Sequence, residues 1–588
     1  MNDLFLILLS GIFLALGLEP IGSSIASALG LVCLILVAEE IKTSDSIFKP
    51  IRLGFFFSLS ITIFAFTWVY TSIGNLTGAS WYVSIPVFII YALFSFYKIF
   101  FIFLGAWIYK KLLSEKKGYD FPFFLFLGYP GLAVISDWLS PMVFPVYWGD
   151  FFRGNLILRQ TVSLSGVESL GFFGWFIAGG GIYSYLAWRS SRTTKQTKVN
   201  KKTKQEKNTP SVIPIYVYLG ILSLTLLYNI YSLFRIPETS ASLSVAIIQP
   251  NTKYAALEKR EDQKFIQGAL QSILDLGKEA ILRSPKPLDL IVFPESSVPF
   301  HGTSSKPESK STYSSTFLGI LEYLSKTANV PVIYNELILD GKMHNTASLL
   351  QMNNRSIEHY YKQKLLPFGE YLPLESSFPV LRNIFPEASS HSPGLRSGFF
   401  QIPKSISSQK DLNPDLYENL ITIPENLDEW ENDPQAERKG NGYFTISPLI
   451  CYEAMDPGLV LRLFESPSKE NHPDLLVNLT NDGWFESERE TWQHAGSAML
   501  RAVETGTPLI RSAVTGVTRV IDPWGREIVP PSAVGERTIV HAEVPIIKGG
   551  IPTIYRSIGR IPLRIFAILA LIFTFFMGHF GYTLSRRI

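Results

Sequence analysis

Thr445-Ile446-Ser447-Pro448-Leu449-Ile450-Cys451-Tyr452-Glu453 is an apolar run that ends on a cysteine and, two residues later, a carboxylate. The run is short and β-rich and reads as a strand buried in a core. A cysteine directly after such a run is core filling in most proteins. To serve as a nucleophile, its thiol, with an ordinary pKa near ~8.5, needs a base and a cation from elsewhere in the fold. Runs of the same kind lie at 243–248, 288–293, 330–334 and 475–479, with helical stretches at 257–283 and 315–327 between some of them. Strands alternating with helices imply a layered α/β domain.

Two other segments of this block carry reactive side chains. Phe293-Pro294-Glu295-Ser296 puts a carboxylate just past a strand, at the sheet edge where α/β folds place their ligands. Taken alone, such a Glu is commonly a helix cap or a surface group. Tyr361-Lys362-Gln363-Lys364-Leu365-Leu366-Pro367-Phe368-Gly369-Glu370 sets a lysine before an apolar turn that a second carboxylate closes. A lysine there is ordinarily a surface charge, whereas beside a thiolate it would be a fixed cation for an anionic intermediate. Spacing does not choose between Lys362 and Lys364.

Outward from this block the character of the chain changes. Of 588 residues, 47% are hydrophobic and 18% charged. The apolar residues concentrate in the first 235 and the last 28 positions. A helix needs ~20 mostly apolar residues to cross the hydrocarbon core. Stretches 3–18, 22–40, 54–74, 83–109, 121–140, 163–188, 213–235 and 561–583 are candidate spans. The first is short, but it lacks the basic leader of a signal peptide and six further spans follow it. Lys42, Lys49 and Arg52 follow the second span, Lys110, Lys111, Lys116 and Lys117 the fourth, and a basic run at 195–207 the sixth; Arg586 and Arg587 follow the last. The intervening loops are poor in Lys and Arg. The positive-inside rule therefore places both chain ends in the cytoplasm and the 236–560 block on the opposite face. The run at 195–207 reads as a solvated orientation signal.

A formal net charge of +3 on a chain of this length, with no RNA- or DNA-binding module, gives no sign of a nucleic-acid partner, and none is expected. The two cysteines, Cys33 and Cys451, lie in blocks of opposite character and form no metal-type spacing, which leaves Cys451 free to react. Aromatic residues between 137 and 162 suit interfacial anchors or the frame of a lipid entry route. Phe378, Phe385, Phe399 and Phe400 are candidates to reach lipid, although core packing explains them equally well. Residues 403–440, rich in Pro, Asn, Asp, Glu and Ser, read as a long exposed insertion.

Together, Pro-Glu at 294–295, the Lys-x-x-Leu-x-Pro-Phe-Gly-Glu motif at 362–370 and Ile-Cys-Tyr-Glu at 450–453 resemble the Glu-Lys-Cys triad of the nitrilase superfamily. Seven apolar spans before this block and one after it narrow the resemblance to the apolipoprotein N-acyltransferase family. It continues through Thr480-Asn481-Asp482-Gly483-Trp484-Phe485, Trp492-Gln493-His494, 501–511, Gly516-Val517-Thr518 and Asp522-Pro523-Trp524-Gly525.

The resemblance implies a bundle of about eight transmembrane helices plus an extramembrane α/β nitrilase-like domain, an αββα sandwich. It divides the chain into a membrane domain at 1–235, a periplasmic catalytic domain at 236–560 and a C-terminal transmembrane helix at 561–588. The family's general base falls on Glu295, its lysine on Lys362 and its nucleophile on Cys451, with Glu370, Tyr452 and Glu453 in support. Where the family commonly has Trp, Lys253 is followed by Tyr254, a weaker substrate-stacking residue. The Asn-rich turn usual before Gly516 is Ala513-Val514-Thr515 here.

The implied protein is a multi-pass monomer of the bacterial inner membrane. It takes an acyl chain from a phospholipid onto the cysteine and gives it to the amine of a diacylated apolipoprotein, without cofactor or metal. The same triad would also serve a membrane-tethered amidase, but the spans favour a lipid substrate. A transporter would place charges or broken helices at mid-membrane, and the spans carry few.

Overall fold

The structure, a computed structural model, describes residues 2–585 except 43, 78–79, 114–122, 141–143, 198–212, 236, 238, 240, 253–261, 299–311, 352–356, 386–387, 396–397, 404–442 and 466–471. Tyr254, most of the 403–440 insertion and much of the basic run at 195–207 thus lie outside the described residues. The chain forms two compact units. One comprises Met1–Thr67, Ile85–Arg235 and Ser557–Ile588; the other comprises Trp68–Ser84 and Ile236–Arg556.

The first unit is helical. Five of the described helices are long and apolar enough to cross a membrane, among them Ser24–Lys42, Phe48–Ala65 and Pro214–Phe234, and shorter apolar helices occupy Asp3–Gly17, Phe124–Leu139 and Ile561–Met577. The sequence expectation of one span over 54–74 is replaced by two helices, Phe48–Ala65 and Trp68–Thr77, broken at Phe66 and Thr67. Hydropathy runs through the break; the backbone does not. Among the described residues several charges buried in this unit are paired, as an apolar medium favours. Lys98 reaches Asp137 at 2.9 Å with both side chains buried, and Glu168 binds Arg560 at 3.4 Å and Arg564 at 2.6 Å.

The second unit is a sandwich of two sheets. Its strands are β1 (Ala241–Gln249), β2 (Leu290–Val292), β3 (Val332–Asp340), β4 (Lys342–Leu350), β5 (Ile357–Tyr361), β6 (Phe400–Pro403), β7 (Tyr443–Ile450), β8 (Leu475–Thr480), β9 (Leu509–Ala513), β10 (Arg519–Ile521) and β11 (Thr538–Ile546). One sheet has the order β11-β1-β2-β3-β4-β5 and the other β10-β9-β8-β7-β6. The central strands β1-β2-β3 and β7-β8-β9 are parallel. They are buried on both faces, which is why their sequences are continuous apolar runs.

The sheets meet face to face, β1 against β9 and β4 against β7. Helices Gln263–Leu282 and Thr312–Ala328 cover the outer face of the first sheet through Ile273, Leu276, Leu321 and Leu324. Helices Pro457–Arg462 and Glu488–Thr505 cover the second through Leu459, Val460, Ala498 and Ala502. The layers are α, β, β, α. Phe400 is buried in β6 and so is not available to lipid, and Phe399, partly buried, packs on the core of the second sheet. Phe378 is exposed, and Phe385 lies against Phe368 with ring centroids 5.0 Å apart.

Gly506 ends helix Glu488–Thr505 in the left-handed conformation with φ +64°, and a Cβ there would stand 2.1 Å from the Ile551 carbonyl oxygen. Gly341, between β3 and β4, has φ +66° but open space around it. Gly341→Ala should therefore lose only the left-handed strain, about 1 kcal/mol, and Gly506→Ala clearly more. Apparent Tm values of the purified full-length variants measure this. Equal losses would contradict the close approach at Ile551.

Candidate active site

The sheet edges gather the chemistry. Glu295 follows β2, Lys362 follows β5, Cys451 follows β7 and Asn481 follows β8, all at carboxyl ends of strands. Together with Trp484 and Phe485 they line a cavity of about 130 Å³.

Cys451 opens a short 3-10 turn, Cys451–Met455, and holds φ at +50°. A non-glycine residue in that region is strained, and such strain concentrates at functional positions. The reversal at the end of β7 presents the thiol to the cavity that Glu295 and Lys362 also line. Asn478 Nδ2 donates to the carbonyls of Leu449 at 3.3 Å and Cys451 at 3.2 Å, which holds the turn from behind.

Glu295 Oε1 accepts from Asn345 Nδ2 at 2.8 Å, and Oε2 accepts from the Asn481 N–H at 3.1 Å. Lys362 Nζ lies 2.8 Å from Glu370 Oε2 and 3.6 Å from Glu295 Oε1. Asn345 Nδ2 donates equally to Glu370 Oε1 at 2.8 Å, so one amide spaces the two carboxylates on either side of the ammonium. The Lys362 N–H in turn donates to the Asn345 carbonyl at 2.9 Å. The two lysines that spacing left equivalent are thereby separated. Lys364 points away, to Asp456 at 2.7 Å and over the Tyr452 ring at 5.2 Å, with about a third of its side chain exposed.

The charges distribute proton affinity unevenly. Burial alone would discharge Lys362, but Glu370 and then Glu295 raise its pKa above the ordinary lysine range. Burial likewise pushes Glu370 up, but Lys362 outweighs it and holds the carboxyl at about 2. Glu295 moves the other way. Burial raises it, Lys362 opposes, and the Glu370 charge raises it further. Burial, then the Glu295 charge, also pushes the Cys451 thiol up, against the pull of Lys362. At neutral pH the arrangement is a thiol beside a carboxylate of raised basicity, with a permanent cation opposite.

Glu453 ties the lysine segment to the cysteine turn. Its buried Oε1 accepts from Tyr360 Oη at 2.9 Å and from the N–H groups of Gln363 at 2.6 Å and Lys364 at 3.2 Å. Its Oε2 accepts from the Ile450 N–H at 2.8 Å. Burial raises its pKa to about 7. Tyr452 is buried beside it.

Sequence reading missed a second buried network behind Cys451. Arg511 Nη2 binds both oxygens of Asp482 at 2.9 and 2.8 Å, and Nη1 binds Asn478 Oδ1 at 2.8 Å. His494 Nδ1 meets Asp482 Oδ1 at 2.9 Å, and Nε2 approaches the Cys451 carbonyl at 3.4 Å. Asp482, Glu490 and His494 bring ligand atoms within 4.8 Å of one another. With Arg511 on both Asp482 oxygens, however, the cluster is built as an ion-pair network rather than as a seat for a divalent cation. Asn345 carries no local motif, and Arg511 entered only as the end of the family-like segment 501–511; a polar residue inside an otherwise buried strand is their shared sequence signal.

The carbon-nitrogen hydrolase family matches residues 244–546, and the apolipoprotein N-acyltransferase N-terminal domain matches residues 10–180. An apolipoprotein N-acyltransferase 1 of Leptospira interrogans serogroup Icterohaemorrhagiae serovar Lai (strain 56601) is 33% identical, over 96% of this chain and 94% of its own. An apolipoprotein N-acyltransferase of Wigglesworthia glossinidia brevipalpis is 25% identical over 98% of both chains. Among solved structures, a mutant of the amidase from Nesterenkonia sp. AN1 is 15% identical with a TM-score of 0.34, covering 55% of this chain and 98% of its own. Similarity along nearly the whole length, at 33% identity and through both matched domains, makes this chain a member of the apolipoprotein N-acyltransferase family.

Proposed function

We propose that the protein N-acylates lipoproteins by a two-step transfer through a thioester on Cys451. The single observation that carries this reading is the buried Cys451 sharing one cavity with Glu295 and with Lys362, which is held between two carboxylates. Glu295 removes the thiol proton, and the sulfur attacks the sn-1 ester carbonyl of a phospholipid such as phosphatidylethanolamine. Lys362, with a backbone N–H near Tyr452, stabilises the tetrahedral oxyanion. The ester C–O bond breaks, the leaving oxygen takes the proton from Glu295, and a lysophospholipid departs. The α-amine of a diacylglyceryl-cysteine then attacks the thioester, and Glu295 takes the amine proton. Collapse forms the amide and expels the sulfur, which recovers the proton.

Glu370 keeps Lys362 charged and in place, and Glu453 sets the distance between the lysine and cysteine turns. We further propose eight membrane-spanning helices, seven before and one after a periplasmic catalytic domain, with both chain ends cytoplasmic in the bacterial inner membrane. A monomer suffices for this chemistry. The apolar helices support that placement, since neither substrate leaves the bilayer freely when each buried CH₂ contributes ~0.8 kcal/mol.

Incubation of purified protein with phospholipid should give an acyl adduct on Cys451 by mass spectrometry, and Cys451→Ala should give none. Glu295→Gln should slow adduct formation by about 100- to 10,000-fold, as for loss of a general base. Lys362→Ala should slow it by about 100- to 1000-fold, whereas Lys364→Ala stays within about fivefold of wild type, as for loss of a partly exposed ion pair. An active Lys362→Ala beside an inactive Lys364→Ala would overturn the assignment.

The pH profile tests the charge arrangement independently. Glu295 must be ionised to act, and its pKa is raised, so the acid limb of kcat/KM should lie above the ordinary glutamate value of about 4.3. Glu370→Gln removes a charge that raises Glu295, so in the residual activity the acid limb should move to lower pH. A limb that stays or rises would show that Glu370 does not act on Glu295.

A further inference from the structure

The helix Trp68–Thr77 comes from the apolar N-terminal part of the chain, yet the stretch Trp68–Ser84 belongs to the compact unit that holds the catalytic sandwich. Its first residue is buried there. The Trp68 ring meets Phe485 edge-on, with centroids 5.4 Å apart and planes at 80°. Trp68 Nε1 donates to Gln493 Oε1 at 3.1 Å, and Asn75 Nδ2, two turns on, donates to the Trp484 carbonyl at 3.3 Å. Trp484 and Phe485 form one side of the cavity that contains Cys451.

That side has little regular structure of its own. Asp482–Trp484 is a single 3-10 turn, and Glu486 just after it holds φ at +47°. A large aromatic on so short a turn keeps its position only if something outside the turn packs against it, because loops are the mobile part of a fold. Helix Trp68–Thr77 supplies that packing at three points: the Phe485 ring, the Trp484 carbonyl and Gln493. Gln493 also adjoins His494, whose ring approaches the Cys451 carbonyl at 3.4 Å.

We infer that Trp68 is a positioning residue for the acyl chain: by fixing Phe485 from behind, it sets how long a chain the cavity beside Cys451 accepts. The inference rests on the proposed acyl transfer from a lipid donor. Trp68 meets Phe485 and Gln493, so it acts on discrimination between donors and not on the chemical step.

The test uses the full-length protein with phosphatidylethanolamines whose sn-1 chains differ by about four methylenes, and measures kcat and KM for thioester formation with each. Trp68→Ala should flatten the ratio of kcat/KM between the two donors at least about tenfold, the scale on which apolar pockets read chain length, mainly through KM. Trp68→Phe keeps a ring against Phe485 but loses the bond to Gln493, and should shift the ratio partway. Gln493→Leu should give the same partial shift and add nothing to Trp68→Phe. If Trp68→Ala does not fold, these two milder variants decide.

An unchanged ratio in the folded variants, or an equal fall for both donors, would overturn the inference. Wild-type protein that forms no thioester with either donor would instead sink the acyl-transfer reading, and this inference with it.

Discussion

A single buried ammonium organises this site. An unpaired cation in a protein interior costs several kcal/mol and ordinarily gives up its proton. Lys362 stays charged because Glu370 at 2.8 Å and Glu295 at 3.6 Å flank it, and because Asn345 holds those two carboxylates apart. Two negative charges around one positive charge cannot be equally satisfied. Glu370, the nearer, is pinned as a carboxylate at about 2. Glu295 is left with the surplus, and its proton affinity rises. A carboxylate of raised proton affinity in the cavity of the thiol, the general base of the proposed mechanism, is thus a consequence of how the lysine is neutralised.

Backbone geometry delivers the sulfur to that base. The end of β7, the turn at Cys451 and the segment after β5 belong to different sheets, so their spacing needs a crossing member. Glu453 is that member, with one oxygen on Ile450 and the other on Gln363 and Lys364. On the far side of the turn Asn478 takes its carbonyls, and Arg511 takes Asn478 and Asp482. Removing one partner from such a buried network costs about 3–5 kcal/mol, so these residues preserve the strained φ of Cys451 at a distance from the chemistry.

Much of this was legible in the sequence, for identifiable reasons. Strands buried on both faces announce themselves as continuous apolar runs, and β1, β2, β3, β7 and β8 lie in or on the runs so read. The edge strand β11 escaped because its burial alternates along Thr538–Ile546, a period-two signal that a search for unbroken apolar runs passes over. β5, β6 and β10 escaped because Glu358 and His359, Gln401 and Arg519 interrupt any apolar run. The triad, with Lys362 as its lysine, followed from family motifs; spacing alone left Lys362 and Lys364 open, and the fold separates them by what their side chains meet after β5 has ended. Asn345 and Trp68 had no local signature, and the family-like segment that ends on Arg511 did not disclose its contacts. Each works through a partner at least 25 residues away in sequence, and hydropathy runs unbroken through the helix break that precedes Trp68.

If the positive charge of Lys362 is already taken by its two carboxylates, Cys451 gains little from it and rests as a neutral thiol until Glu295 takes its proton. The ionisation of Cys451 measures this most directly. Thiolate absorbance of wild type minus Cys451→Ala, recorded across pH in the full-length protein, subtracts Cys33 and leaves the nucleophile alone. The account predicts no thiolate at about pH 7, with ionisation appearing only on the alkaline side of the ordinary cysteine pKa of about 8.5. A thiolate already present at neutral pH would mean that Lys362 neutralises the sulfur and not Glu295, and would contradict it.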